Sequence, residues 1–177
     1  MRLFLSLFSV LFLFSSLEAR DLTNRFGAGF EQVYTNGFVL DEGDAQTEAQ
    51  QLNGLAVNYG VFPQFQAGAF FGFTRDFESF MIGPTLRYDF QTHLYRDQGF
   101  WNHLNLFIQS GLFLKEGSDV KTGLNWQVAN LGFEIFPFSA LDFAILSSAG
   151  VVVDIVEESD IGFTNSMFGN VGLRFYY

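Results

Sequence analysis

The sequence predicts an all-β protein that folds as an eight-stranded antiparallel transmembrane β-barrel, an up-and-down meander. Three observations lead to this prediction. Eight segments of about ten residues alternate apolar and polar side chains, and a tilted strand of that length crosses a bilayer. After residue 19, no apolar stretch is long enough for a transmembrane helix. Long polar connections alternate with short turns, with QTHLYRDQG as the longer exception, which is typical of outer-membrane barrels.

The opening segment, residues 1–19, has the layout of a secretory signal peptide. Arg2 gives a basic start, and small or tolerated residues surround a cleavage point after Ala19. The apolar run between them is about twelve residues long, whereas a spanning helix needs roughly 20, so a membrane anchor is disfavoured. We therefore expect this segment to be removed and residues 20–177 to form one barrel domain.

Composition excludes several classes of function. The formal charge of −10 argues against a nucleic-acid partner, because phosphate binding needs clustered Lys and Arg. The chain has no Cys, which excludes disulfides and thiolate chemistry. Its 25 Phe and 19% aromatic residues do not suit a disordered chain. We expect no cofactor.

Each of the eight segments has one apolar face, and its other face carries Gly, Asn, Gln and charged residues. In the first segment, for example, Phe26, Ala28 and Phe30 share the apolar face. In the sixth, Trp126 and Val128 fall on the polar face, so the upper part of that segment is ambiguous. The segments are RFGAGFEQVY (25–34), LNGLAVNYGVF (52–62), FQAGAFFGF (65–73), FMIGPTLRYDF (80–90), HLNLFIQSGLFL (103–114), NWQVANLGFEIF (125–136), LDFAILSSAGVVVDI (141–155) and MFGNVGLRFYY (167–177).

A soluble β-sandwich is the competing fold, since it also produces alternation and turns. Two features favour the barrel. Aromatic residues such as Phe80, Tyr88 and Phe90 lie near strand ends, as in the interfacial girdles of membrane barrels. The polar face is also rich in glycine, which suits a narrow lumen with little room for side chains. Closure would pair every backbone group, as a bilayer demands.

The last segment carries apolar residues at every second position and ends in an aromatic: Val171, Leu173, Phe175 and Tyr177. This pattern resembles the C-terminal signature of bacterial outer-membrane β-barrel proteins, although many of those end in Phe. Residues 20–177 as a whole resemble the small eight-stranded barrels of that group, which includes the membrane domain of the OmpA family and the OmpX and OmpW families. No motif selects one of these families.

The resemblance has implications for location and partners. It implies the outer membrane of a Gram-negative-type bacterium, contact with membrane lipid and lipopolysaccharide, and insertion by the barrel-assembly machinery, which would read the residues Val171, Leu173, Phe175 and Tyr177. A monomer is the expected state.

With both termini expected in the periplasm, charged residues on the polar face cluster near the periplasmic end of the predicted strands. A charge inside a barrel needs partners, since an unpaired buried charge is costly. We expect an internal salt-bridge plug that closes the lumen, and the alternative is a selectivity ring or a gate. The residues of this predicted charge layer are Arg25, Arg87, Asp89, His103, Glu134, Asp142 and Arg174.

Large apolar side chains also point inward, higher in the predicted barrel. Packing of the upper lumen is the favoured interpretation, because an eight-stranded lumen is only just wide enough to be filled by side chains. The alternative is a pocket or conduit for a small hydrophobic molecule, which the resemblance to OmpW would allow. These residues are Phe70, Phe107, Phe113, Trp126 and Phe168.

Acidic residues collect in the first and last long loops, which lie close together when a barrel closes. Clustered carboxylates suit Ca²⁺ or Mg²⁺, although a solvated acidic loop is the commoner outcome and the spacing does not match an EF-hand. No metal site is firmly predicted. The candidate acids are Asp41, Glu42, Asp44, Glu157, Glu158 and Asp160.

No catalytic constellation is visible in the sequence. A lipid A hydrolase or acyltransferase would need a Ser and a His within hydrogen-bond reach, but neither His93 nor His103 has a nucleophile at a suitable spacing. We expect no enzyme. The leading hypothesis is a structural or surface-exposed envelope barrel with a filled lumen, the alternative is a conduit or pocket for small hydrophobic solutes, and a lipid A-modifying enzyme is the minor one.

Overall fold

The computed structural model describes residues 22–37, 50–90, 104–117, 123–137, 142–156 and 164–177. Within these ranges the chain forms eight strands, and their described side chains alternate between the lumen and the outer face except at a bulge in the sixth strand. They are β1 (Phe26–Gly37), β2 (Gln50–Phe62), β3 (Phe65–Phe73), β4 (Ser79–Phe90), β5 (Leu104–Gly117), β6 (Gly123–Ile135), β7 (Phe143–Val156) and β8 (Thr164–Tyr176).

The strands form one closed antiparallel barrel in which each strand pairs with its neighbours in sequence. Closure is made by β1 and β8, where Phe30 lies opposite Leu173 and Gly27 opposite Tyr176. Because β1 and β8 pair, each of the eight described strands has a neighbour on both sides. The predicted eight-stranded meander is therefore confirmed. We call the end of the barrel where β1 begins and β8 ends the lower end.

The alternation of side chains separates an apolar outer surface from a mixed lumen. Phe30 is 62% exposed on the outer face, whereas the next residue, Glu31, is 4% exposed in the lumen. Leu131 and its neighbour Asn130 show the same contrast, at 61% and 0%. A water-soluble barrel would reverse this pattern, since apolar side chains are normally the buried ones. Among the described residues, no helix has the length and apolar character needed to cross a membrane.

A β-bulge in β6 resolves the ambiguous part of the sixth segment. The register of β6 on β7 shifts between Gln127 and Ala129. Asn130 faces the lumen below the bulge, and Gln127, which is 1% exposed, faces it above the bulge. Trp126 and Val128 face outward and are 45% and 38% exposed. The prediction that Trp126 points into the lumen is therefore wrong. One inserted residue moves the side chains beyond it to the opposite face, which simple alternation does not anticipate.

The turn between β3 and β4 is held by its own hydrogen bonds. The amide of Thr74 donates to the carbonyl of Ser79 at 2.9 Å, and the amide of Phe77 donates to the carbonyl of Thr74 at 3.0 Å. The Thr74 hydroxyl donates to Asp76 at 2.6 Å and lowers the pKa of that exposed carboxyl. Phe77 has a positive φ of 61°, and its ring stacks on Phe73 with centroids 4.7 Å apart.

Several predictions fall outside the described residues. They are the signal peptide of residues 1–19, His93 and His103, and the six loop acids Asp41, Glu42, Asp44, Glu157, Glu158 and Asp160. These stay predictions. Where the structure describes the chain, no group of three or more His, Asp or Glu side chains is arranged to hold a metal ion.

Candidate functional site

Among the described residues, the buried side chains of the lumen form three layers, most of them turned inward by the alternation of the strands. Uppermost is an apolar layer, in the middle a charged layer, and at the lower end an apolar cap. The upper apolar layer consists of Val33, Leu52, Ala56, Phe70, Met81, Phe113 and Val152. The charged layer consists of Glu31, Arg87, Asp89, Glu134 and Arg174. The lower apolar cap consists of Leu22, Phe136, Ala144 and Tyr176.

Arg87 is the centre of one half of the charged layer. Its Nε donates to Asp89 Oδ1 at 2.6 Å, and its Nη2 donates to Glu134 Oε2 at 2.6 Å. The three side chains are at most 2% exposed. The amide of Gln66 donates to the second oxygen of Asp89 at 2.6 Å. The guanidinium also lies over the ring of Phe107, with Cζ 3.9 Å from the ring centroid, which is a cation–π contact.

Arg174 and Glu31 form the other half, as an ion pair between the neighbouring strands β8 and β1. Glu31 Oε2 also accepts from Asn170 Nδ2 at 2.7 Å, and Asn170 Oδ1 accepts from the Ser148 hydroxyl at 2.9 Å. The carboxylate of Glu31 is thus bonded on both oxygens. In the low-dielectric interior of a barrel, such a network is worth more than the same contacts in water.

Tyr176 joins the charged layer to the lower apolar cap. Its hydroxyl donates to Glu134 Oε1 at 2.8 Å, so that Glu134 is bonded on both oxygens. Its ring packs beside Phe136, with centroids 5.9 Å apart. A tyrosine with an apolar body and a polar tip suits this boundary.

The predicted charge layer is divided by the structure into two sites. Arg87, Asp89, Glu134 and Arg174 lie together in the charged layer. Arg25 and Asp142 instead pair with each other at the lower rim, 2.6 Å apart, with 36% and 37% of their side chains exposed.

Glu31 is absent from the predicted charge layer, although the alternation of the first segment places it on the lumen face. A buried charge needs a partner of opposite sign, and Arg174 points inward on β8. Glu31, the inward acid of the neighbouring strand β1, could therefore have been predicted as its partner. The same alternation placed Asn170 and Tyr176 on the lumen face, but nothing in the sequence showed that they bond to Glu31 and Glu134.

The predicted apolar pocket residues do not form one pocket. Phe70 and Phe113 meet edge to face in the upper apolar layer, with centroids 6.1 Å apart. Phe107 lies lower, under Arg87 in the charged layer, and Trp126 faces outward. The side chain of Phe168 lies outside the described part of the structure, although β8 places the residue opposite Gly150.

Packing leaves little free space between the upper apolar layer and the charged layer. A cavity of about 10 Å³ lies there, with Glu31, Asn58 and Arg174 on its polar side and Phe70 and Phe113 on its apolar side. Such a volume holds about one water molecule. The described side chains therefore fill the lumen at this height and leave no room for a small organic molecule.

The four residues of the predicted assembly signal alternate outward along β8. Val171, Leu173, Phe175 and Tyr177 are 50%, 46%, 48% and 77% exposed. The orientation predicted for them is therefore found, and their role in assembly stays a prediction.

The fold and the lumen together define a class: a small antiparallel barrel closed by eight strands, apolar outside and filled with paired charges and aromatic rings inside. Comparison with solved structures agrees with the barrel fold of this class. The N-terminal β-barrel domain of Pseudomonas aeruginosa OprF matches with a TM-score of 0.55 at 16% identity, over 88% of this chain and 98% of that one.

Two further solved structures share the fold. Neisserial surface protein A (NspA) matches with a TM-score of 0.60 at 11% identity, over 86% of this chain and 97% of that one. A de novo designed transmembrane β-barrel matches with a TM-score of 0.53 at 9% identity, over 90% of this chain and 100% of that one. At these identities the likeness shows the fold, which confirms the predicted resemblance to small eight-stranded outer-membrane barrels.

No protein-family model matches the chain, and no curated protein matches it in sequence.

Proposed function

We propose that this protein is an integral outer-membrane β-barrel with a structural or surface-exposed envelope role and a lumen closed by its own side chains. The apolar outer surface supports the membrane location, because exposed residues such as Phe30 and Leu131 would be unfavourable in water and favourable in hydrocarbon. The shared fold of OprF and NspA barrels supports the same location.

The filled lumen is the observation that carries the proposed role. The charged layer takes its side chains from β1, β4, β6 and β8, and apolar clusters pack above and below it. An ion crossing the barrel would have to break the ion pairs of Arg87 or Arg174 and then pass an apolar layer. Each of these steps is costly in a low-dielectric interior. We propose no catalytic role for the barrel.

Partners follow from the location. We propose that the outer face contacts membrane lipid and lipopolysaccharide, that the protein is monomeric, and that the barrel-assembly machinery reads β8 during insertion. The pairing of β8 with β1 closes the barrel, which makes β8 a suitable strand for recognition before closure.

Planar-bilayer recording of the purified protein tests the closed lumen. We expect no steady conductance, together with a gel mobility that changes on boiling in detergent samples. A steady conductance in most insertions would contradict the closed lumen, and a water-soluble monomer without detergent would contradict the membrane barrel.

The same preparation tests the alternative conduit for hydrophobic solutes. Saturable binding of an apolar dye, lost in Phe113→Ala and kept in Trp126→Ala, would favour the conduit over the closed barrel. The matched pair is informative because Phe113 lies in the lumen at 1% exposure and Trp126 lies on the outer face.

A further inference from the structure

The chain ahead of β1 contributes a buried side chain to the lower end of the lumen. Leu22 is 2% exposed, although it lies outside all eight strands. Its side chain clusters with Phe136, Ala144 and Tyr176, so that it completes the lower apolar cap. Directly above this cap, the hydroxyl of Tyr176 bonds to Glu134 of the charged layer. Residues 22–25, which we call the N-terminal hook, therefore lie on the lower side of the charged layer.

The hook has a specific backbone conformation that turns Leu22 inward. Asn24 has a positive φ of 60°, a conformation that Asn tolerates better than most residues. The amide of Asn24 donates to the carbonyl of Gly60 at 2.8 Å, and the amide of Gly60 donates to the carbonyl of Arg25 at 3.0 Å. A Cβ at position 60 would collide with the carbonyl oxygen of Leu22. Glycine is thus required where β2 meets the hook.

The hook contacts β2 over a much shorter stretch than the paired strands contact one another. Its contact with β2 is an isolated parallel bridge between Thr23 and Gly60 rather than a ladder. The hydroxyl of Tyr59 adds one hydrogen bond to Asn24 at 3.1 Å, and both of these groups are exposed. The rim pair of Arg25 with Asp142 is more than one-third exposed. Segments with few buried contacts and exposed hydrogen bonds open at much lower free energy than the strands beside them.

We propose that the N-terminal hook is a displaceable stopper that seals the lower mouth of the lumen and keeps water and small polar solutes away from the charged layer. Its release opens the barrel from below as far as Tyr176 and Glu134, while the wall of eight strands stays closed. This inference rests on the proposed closed lumen and adds a removable seal at one end of it.

Cysteine labelling tests the stopper, because the chain has no Cys of its own. Ala144→Cys places a thiol in the lower apolar cap, beside Leu22. Ala56→Cys places one in the upper apolar layer, and both positions are buried. The folded full chain in detergent micelles is treated with a small anionic methanethiosulfonate reagent. We expect Leu22→Ala to raise the labelling rate at position 144 by roughly tenfold to a hundredfold, because it removes most of the apolar side chain that holds the hook.

Matched variants separate release of the hook from general loosening. Asn24→Val, which disfavours the positive φ, should raise labelling at position 144 as Leu22→Ala does, and Leu22→Met should leave it unchanged. Labelling at position 56 should be unchanged in all of them. Gel mobility before and after boiling verifies that each variant is folded.

Three results would overturn the stopper. Fast labelling of position 144 with an intact Leu22 would mean that the hook does not seal the mouth. An unchanged rate in both Leu22→Ala and Asn24→Val would mean that the hook does not control access. Equal increases at positions 144 and 56 would mean that the whole barrel loosens. None of these results depends on conductance, so the closed lumen is judged separately by the bilayer recording.

Discussion

The charged layer and the upper apolar layer occupy the same lumen and are buried to the same degree, but they are filled by opposite chemistry. In the charged layer, Arg87 of β4 and Glu134 of β6 meet in the lumen through one directional contact of 2.6 Å. In the upper apolar layer, Phe70 and Phe113 meet edge to face, and packing alone holds them. A narrow barrel can thus be closed either by paired charges or by packed rings.

The difference lies in what each layer tolerates. Truncating a packed ring leaves a cavity, and the loss of stability grows with the volume of that cavity. A buried ion pair cannot be trimmed on one side only, because the remaining charge keeps its desolvation penalty and loses its compensation. We therefore expect single substitutions to cost more in the charged layer than in the upper apolar layer, although both layers are buried.

The largest effect is expected from Arg87→Met. The substitution keeps an unbranched side chain over Phe107 but leaves the carboxylates of Asp89 and Glu134 without their shared cation. We expect a loss of about 5 kcal/mol in the free energy of unfolding. Urea unfolding in detergent micelles, followed by tryptophan fluorescence, measures it.

The control for Arg87→Met is the same change at Arg75, an exposed residue of the turn between β3 and β4. Arg75→Met should change the free energy of unfolding by less than about 0.5 kcal/mol. Equal losses in the two variants would show that the charged layer is already hydrated, and the contrast between the two layers would then disappear.

Phe113→Ala is the corresponding test of the upper apolar layer. Phe113 is 1% exposed and packs against Phe70, so its truncation leaves a cavity in the lumen. We expect a loss of about 3–4 kcal/mol in the same unfolding experiment. Trp126→Ala is the matched control on the outer face, where detergent refills the space, and it should cost clearly less. A larger loss for Trp126→Ala would mean that the outer face dominates stability.

The sequence predicted the fold better than it predicted these layers. Period-two alternation is local, and it correctly assigned the lumen face of strands such as β4 and β8. The contact between Arg87 and Glu134 joins residues 47 positions apart and depends on the curvature of the closed barrel, which no local pattern encodes. The bulge beside Trp126 is a one-residue insertion that alternation cannot locate.

The N-terminal hook escaped the sequence interpretation for a related reason. Leu22 is a single apolar residue between Asp21 and Thr23, with no periodic neighbours to indicate a direction. Its burial depends on the positive φ of Asn24 and on the absence of a side chain at Gly60. Both conditions are visible only once β1 and β2 are paired.

Gly111→Ala is expected to cause an intermediate loss in the free energy of unfolding. It tests whether the rings of the upper apolar layer are tightly packed. The ring of Phe113 folds back over Gly111, and a Cβ there would lie 2.5 Å from Phe113 Cε2. Since the ring is buried on all sides, we expect a loss of about 1–3 kcal/mol in the free energy of unfolding. The double variant Gly111→Ala/Phe113→Leu should cost less than the sum of the two single changes, since the smaller side chain relieves the clash. Strict additivity would contradict this packing.

The smallest effect is expected at the lower rim, where Arg25 and Asp142 form the half-exposed counterpart of the buried pairs. Asp142→Asn removes this ion pair and keeps the shape of the side chain. Because solvent already screens the two charges, we expect a loss of less than about 1 kcal/mol. The loss should shrink further in 1 M NaCl, where the Debye length falls to about 3 Å. Glu134→Gln, whose carboxylate is fully buried between Arg87 and Tyr176, should keep its much larger loss at both salt concentrations. If salt reduced both losses in proportion, water and ions would have access to the charged layer, and burial would no longer distinguish the two kinds of pair.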